Sequence, residues 1–190
     1  MSEHAIENVT IIDALNGIRE NQTVFFGADM ITGIKKSAPT PNNVETIDGT
    51  GKYLIPGLWD FHVHLTYEAS LIEEMPKLLL SYGVTSVRDT GGMLEKVLPV
   101  VKKMRAPNAI APRVFYAGPL LDGRDVVYDG ESRPLIGVQN VDPDSARERI
   151  ESLKQQGASF IKIYEMVSPT VFNSMIEAAR ENGMPVDSHV

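Results

Sequence analysis

After residue 55 the spacing of apolar residues switches repeatedly between two periods. Residues 58–65 alternate, with Trp59, Phe61, Val63 and Leu65 on one side and Asp60, His62 and His64 on the other, which predicts a strand with an apolar row suited to helix packing. Residues 68–82 carry Leu71, Ile72, Met75, Leu78, Leu79 and Tyr82 at helical spacing, closed by Gly83. Residues 83–89 read as a strand, and 93–105 as a helix that Pro99 bends or splits. A strand follows at 113–117, then a long polar loop from Gly118 to about Val141, a candidate cover for a substrate. Asp142-Pro143 opens a helix that stops at Gly157, residues 159–164 form a strand, and Ser168-Pro169 opens a helix ending at Asn182-Gly183. Residues 185–190 are a last strand, with Asp187 and His189 on one face and Val186, Ser188 and Val190 on the other.

Strand and helix thus alternate, which predicts an α/β fold of parallel strands with right-handed crossovers. Five strands and four helices fit the first half of a (β/α)8 TIM-type barrel over residues 56–190, cut after strand five, since a full barrel needs about 250 residues. Residues 1–55 differ. They carry short strands at 8–13, 23–26, 30–34 and 44–47, with turns at Asn16-Gly17 and Gly27-Ala28-Asp29 and a loop holding Pro39 and Pro41. That is too little for an independent core and reads as part of a small β-sandwich.

Composition narrows the chemistry. The net charge is −7 with no long basic run, which argues against nucleic acid as a partner. The absence of cysteine removes disulfides and thiolate ligands, so any metal must rest on histidine, carboxylate or a modified side chain. No basic segment followed by an apolar run opens the chain and no stretch approaches a membrane span, so a cytoplasmic location without membrane contact is expected. Of four histidines, His4 falls in the tail, while His62, His64 and His189 each lie near the end of a parallel strand, where barrels of this type place their active sites. His62-Val63-His64 suits a divalent metal; the other reading is a strand with two satisfied histidines. Lys162 shares a face with Phe160 and Tyr164 in a buried strand, where it is costly unless it reaches a carboxylate or is chemically altered. No Gly-x-Gly-x-x-Gly follows a strand, which removes a dinucleotide-binding reading.

The run Pro56-Gly57-Leu58-Trp59-Asp60-Phe61-His62-Val63-His64, with residues 8–13 and 47–52 before it, resembles the opening of the amidohydrolase superfamily. Residues 83–92 and 160–164 resemble its imidazolonepropionase-like and Xaa-Pro dipeptidase-like members, and the likeness covers essentially the whole chain. The resemblance implies one or two divalent ions, zinc above all, with His62 and His64 on the more buried one. It implies Lys162 as a CO2-derived carbamate bridging both ions, and His189 on the second. Asp60 would support the site from behind; Asp89 would contact substrate or pair with Arg88. A metal-bound hydroxide would then attack an amide, a cyclic amide or a dipeptide. Family members also carry a histidine on strand six and a proton-shuttling aspartate on strand eight, beyond residue 190. The chain is therefore expected to be the N-terminal portion of such a hydrolase, oligomeric or joined by a complementing C-terminal half. The alternative is a catalytically incomplete fragment acting as a metal-binding or assembly module.

Overall fold

The computed structural model describes residues 4–27 and 30–189. The expected turn at Ala28-Asp29, the chain start before His4 and the facing of Val190 lie outside these. The chain forms two compact units, Met1–Pro56 and Gly57–Val190. Among the described residues no helix is long and apolar enough to cross a membrane.

The first unit is one sheet. Strands β1 (His4–Asp13), β2 (Gly17–Gly27) and β3 (Met30–Lys36) pair antiparallel in the order β3-β2-β1. Strands β4 (Glu45–Asp48) and β5 (Tyr53–Leu54) both add parallel to β1, at successive stretches of it. His4, expected in a tail, instead opens β1, and Tyr53–Leu54 is a strand that periodicity over two residues could not reveal. Val9, Ile11 and Val24 form its small core, joined by Ile6 and Leu54. Asp13 stabilises the β1–β2 turn by accepting the Leu15 and Asn16 amides at 2.9 and 2.7 Å. The Asn16 bond first, with further bonds from Asn16, Arg19 and Leu15, holds the Asp13 carboxyl below the usual carboxylate range.

The second unit is mixed α/β with four α-helices. Strands β6 (Leu58–Val63), β7 (Val84–Asp89) and β8 (Arg113–Tyr116) pair parallel in chain order. A second parallel sheet runs β10-β9-β11-β12, with β9 (Leu120–Asp122), β10 (Gly137–Gln139), β11 (Ile161–Ile163) and β12 (Val186–Ser188). Helices α1 (Met75–Ser81), α2 (Leu94–Met104), α3 (Pro143–Gln155) and α4 (Pro169–Glu181) connect them. Val87, Val114, Leu121, Ile161 and Ile163 from the strands bury against Val97, Val101, Ile150, Leu153, Met175 and Ala178 from the helices. Each of the valine, leucine, isoleucine and methionine side chains contributes about 1.5–3 kcal/mol of burial. Asp142 and Ser168 cap α3 and α4 by accepting the Ser145 and Val171 amides, each followed by proline in the first turn.

Three expectations need correction. The helix expected over 68–82 is a 3-10 turn at Ala69–Leu71 followed by α1, because Pro76 has no amide to continue a helix from residue 72 and fits only the first turn. The span expected as a polar loop contains β9 and β10, and residues 118–123 are buried within it. The chain bends at Gly118 between β8 and β9, so the β8 run leaves β7 and pairs with β11 through Leu121 and Ile163. Buried Asp122 is held there because its carboxylate accepts the amides of Gly123, Val127 and Met166 at 2.8–2.9 Å. Third, the apolar row of β6 does not share one face. The β6–β7 register shifts between Asp60 and Val63, where three steps on β6 meet two on β7. Val63 and Leu65 pack with the helices, whereas Trp59 and Phe61 stack on each other at 5.3 Å. Trp59 also stacks on Phe115 at 5.3 Å, and Arg88 lies 6.0 Å over Phe61. An inserted residue reverses the facing of everything before it.

Candidate metal centre

The β6 terminus carries the paired histidines, with ring centroids 5.2 Å apart. The Nδ1 of His64 lies 2.8 Å from the Gly91 carbonyl oxygen. A carbonyl only accepts, so Nδ1 carries the hydrogen, and Nε2 of the neutral ring keeps its lone pair. A Cβ at Gly91 would crowd this contact, standing 2.7 Å from Leu120 Cδ2 and 3.1 Å from His64 Cε1, so both side chains would have to shift. Asp89 fixes the same corner from below, its carboxylate accepting the Leu65 amide at 2.8 Å and the Gly91 amide at 3.1 Å. Burial pushes the Asp89 carboxyl up to about 6, partly offset by those two bonds and by His64. Asp89 does not meet Arg88, because consecutive strand residues face opposite ways: Asp89 is buried beside the helices, while Arg88 reaches Asp187 at 3.5 Å. Asp60 accepts the His62 amide at 3.1 Å.

Lys162 is 4% exposed, and its ammonium lies 3.5 Å from Asp187, its register partner on β12. Arg88 stands 4.0 Å over Phe160 and shares the same Asp187. Burial first, then the charges of His64 and Lys162, holds the His62 imidazolium below its ordinary pKa, against the pull of Asp187 and Asp60. His62 thus feels the charges of His64, Lys162, Asp187 and Asp60. His189 is turned elsewhere, its Nε2 3.2 Å from Glu165 and its ring 4.8 Å from Tyr164. Among the described residues, no three His, Asp or Glu side chains converge as a metal-ligand cluster.

Sequence reasoning missed the tyrosines that join these two ends. Ring centroids run from His64 to Tyr67 at 6.1 Å, to Tyr128 at 6.4 Å, to Tyr164 at 5.8 Å and on to His189. Burial, then Tyr128 and Glu165, pushes the Tyr164 phenol up to about 12, so it stays a neutral donor. Only Tyr164 had a signal, its shared face with Lys162; Tyr67 and Tyr128 sit on connections without periodicity.

No family model matches the chain. An adenine deaminase of Leuconostoc mesenteroides subsp. mesenteroides is 34% identical over 179 residues, covering 73% of this chain and 30% of that protein. An imidazolonepropionase of Idiomarina loihiensis is 28% identical over 96 residues, covering 50% of this chain and 24% of that protein. A crystal structure of a Xaa-Pro dipeptidase with methionine bound in the active site superposes with a TM-score of 0.86 at 19% identity. That match covers all of this chain and 57% of the dipeptidase. The chain belongs to the amidohydrolase superfamily. It spans less than a third of either curated relative and just over half of the dipeptidase.

Within this superfamily chain, the donor chemistry at the β6 end suits a divalent ion. His64 presents a free Nε2 fixed by its Nδ1 hydrogen bond, and His62 is biased to the neutral form that ligates. The buried amine of Lys162 is the adjacent group able to become anionic by carboxylation.

Proposed function

We propose that the chain is the N-terminal portion of a metal-dependent hydrolase of carbon–nitrogen bonds, acting on amides, cyclic amides or dipeptides. The observation that carries this reading is the His62/His64 pair beside buried Lys162, with the His64 tautomer set by Gly91. The names of the relatives support it, since a deaminase, an imidazolonepropionase and a dipeptidase all act on carbon–nitrogen bonds. On this reading residues 56–190 supply the first five strands of a (β/α)8 barrel, and residues 1–55 part of a β-sandwich.

His62 and His64 would hold an ion, zinc being the natural candidate for imidazole donors, with Lys162 as a carbamate and, once it leaves Glu165, His189 as further donors. When bound, such ions polarise a carbonyl and activate water near neutral pH. The chain's own residues prepare for this. Gly91 and Asp89 orient His64, Asp60 ties down the His62 backbone, and Asp187 neutralises Lys162 until it is modified. Carboxylation of Lys162 would leave Asp187 paired with Arg88. The remaining strands, with their ligands and proton-transfer group, would come from a complementing C-terminal half.

A second reading, a metal-binding or assembly module without turnover, is favoured by the exposure of Trp59 and Phe61 at 41% and 57%. Aromatic surface of that kind seeks a partner.

Metal analysis of protein purified without chelator, beside native intact mass, tests the proposal. One or two ions per chain and the added mass of one carbon dioxide are expected. The His62→Ala/His64→Ala variant should lose the metal and Lys162→Ala the added mass. A folded wild-type chain that takes up no zinc, manganese or nickel overturns the metal-hydrolase reading.

A further inference from the structure

A cavity of about 370 Å3 opens beside His64, walled by Tyr67, Tyr128, Leu71 and Met75, with Glu68 on its lining. It lies at the small end of the range for ligand sites, about 300–1,000 Å3, and has their mostly apolar character. The Tyr67 and Tyr128 rings stand 6.4 Å apart at 70°, so one offers an edge where the other offers a face. That corner suits a third ring, because aromatic pairs prefer edge-to-face and offset contacts. The thioether of Met75 and the branched end of Leu71 complete an apolar wall.

The charge on the lining is one-sided. Glu68 is the only carboxylate there, and it accepts the Ser70 amide at 3.2 Å and the Ser70 hydroxyl at 2.9 Å, which favours its ionised form. No lysine or arginine lines the cavity; Arg133 stacks 5.1 Å over Tyr128 but is not among the lining residues. A carboxylate entering the cavity would meet like charge without a compensating cation.

We propose that this cavity is a substrate subsite that takes an uncharged, ring-bearing substituent next to the bond presented at His62 and His64, and that it rejects carboxylate-bearing ones. The assignment of that bond rests on the hydrolase reading, but occupancy of the cavity does not depend on metal. The substrate class is accordingly an amide with an aromatic or bulky aliphatic flank, in preference to an acidic one.

The test is titration of the full chain, in the presence of a chelator, with three probes followed by NMR of the Met75 methyl and tyrosine rings. The probes are N-acetyl-phenylalaninamide, N-acetyl-alaninamide and the α-amide of N-acetyl-glutamate. The phenyl probe buries several more carbons than the methyl one, so it should bind about tenfold or more tightly and shift Met75. The glutamate probe should bind no better than the alanine probe. Leu71→Trp, at a half-exposed position of the 3-10 turn, should fill the cavity and abolish the phenyl preference. Glu68→Gln should raise binding of the glutamate probe and leave the phenyl probe unchanged. Equal affinities for the phenyl and alanine probes, tighter binding of the anionic one, a preference that survives Leu71→Trp, or no phenyl binding at its solubility limit each overturn the proposal. Because the chelator removes metal from the comparison, a failed metal analysis and a failed probe series remain separate results.

Discussion

Replacing Asp89 by asparagine should flatten a pH dependence that the wild-type chain carries in its second unit. Asp89 is fully buried, and its two oxygens accept the Leu65 and Gly91 amides. Those bonds favour the carboxylate, but burial outweighs them and pushes the group up to about 6 from 3.8. A raised acid pKa means that the native state holds the proton more tightly than the unfolded chain. The stability this group contributes is therefore greatest below pH 3.8, falls as pH rises to about 6, and is flat above. The rise from 3.8 to about 6 corresponds to roughly 3 kcal/mol. Asparagine keeps the shape and carries no charge, so it lacks this loss. Its amide oxygen satisfies one of the two N–H groups and its NH2 opposes the other, a pH-independent cost of about 1–3 kcal/mol.

Trp59 is the only tryptophan and lies in the second unit, so its fluorescence follows that unit through a urea titration. Measured at about pH 4, 5, 6 and 7, the stability difference should move in favour of Asp89→Asn by roughly 2 kcal/mol across the series, the rest of the shift lying below pH 4. The lowered His62 pKa works in the opposite direction, since protonation then favours the unfolded chain at acid pH, but it is present in both proteins and drops out of the difference. A constant difference from pH 4 to 7 would refute the claim that burial dominates at Asp89. The same variant should lose about 10–100-fold in zinc affinity, because the groups it releases flank His64 and the carbonyl that orients it.

Two further substitutions test the scaffold around the site. Gly123→Ala would place a Cβ 1.5 Å from the Met166 carbonyl oxygen, so either the β9 end or the turn after β11 must move. A loss of about 3 kcal/mol or more, or no soluble protein, is expected in urea titrations, and a change under about 1 kcal/mol would contradict the close approach. Asp142→Ala removes the 2.8 Å cap on the Ser145 amide and should cost about 1 kcal/mol by thermal melting, with Asp142→Ser restoring most of it.

The elements legible in the sequence are those whose information is local. Asp142-Pro143 and Ser168-Pro169 start α3 and α4, and Gly157 and Gly183 follow their ends, because caps and left-handed residues act within one turn. The facing of β11 was legible for the same reason: Ile161 and Ile163 enter the core and Lys162 does not share their side. Pro76 was a local signal too, but the apolar spacing of 68–82 masked it. What lay out of reach depended on partners distant in sequence. Asp122 looks like a loop aspartate, and only amides one, five and 44 residues away make its burial tolerable. Two-residue alternation cannot register a residue inserted into β6 against β7, so it places Trp59 and Phe61 on the helix side. The candidate site divides along the same line. His62, His64 and His189 stand out because they lie near strand ends and Lys162 because it sits within a buried strand, but the ion pairs to Asp187 and Glu165 are set by strand register and loop geometry. Arg88 shows the consequence. One carboxylate between two cations is stable with Lys162 as an ammonium, and it keeps a partner if Lys162 becomes an anion, so modification of the lysine need not leave the partly buried Asp187 on β12 unpaired.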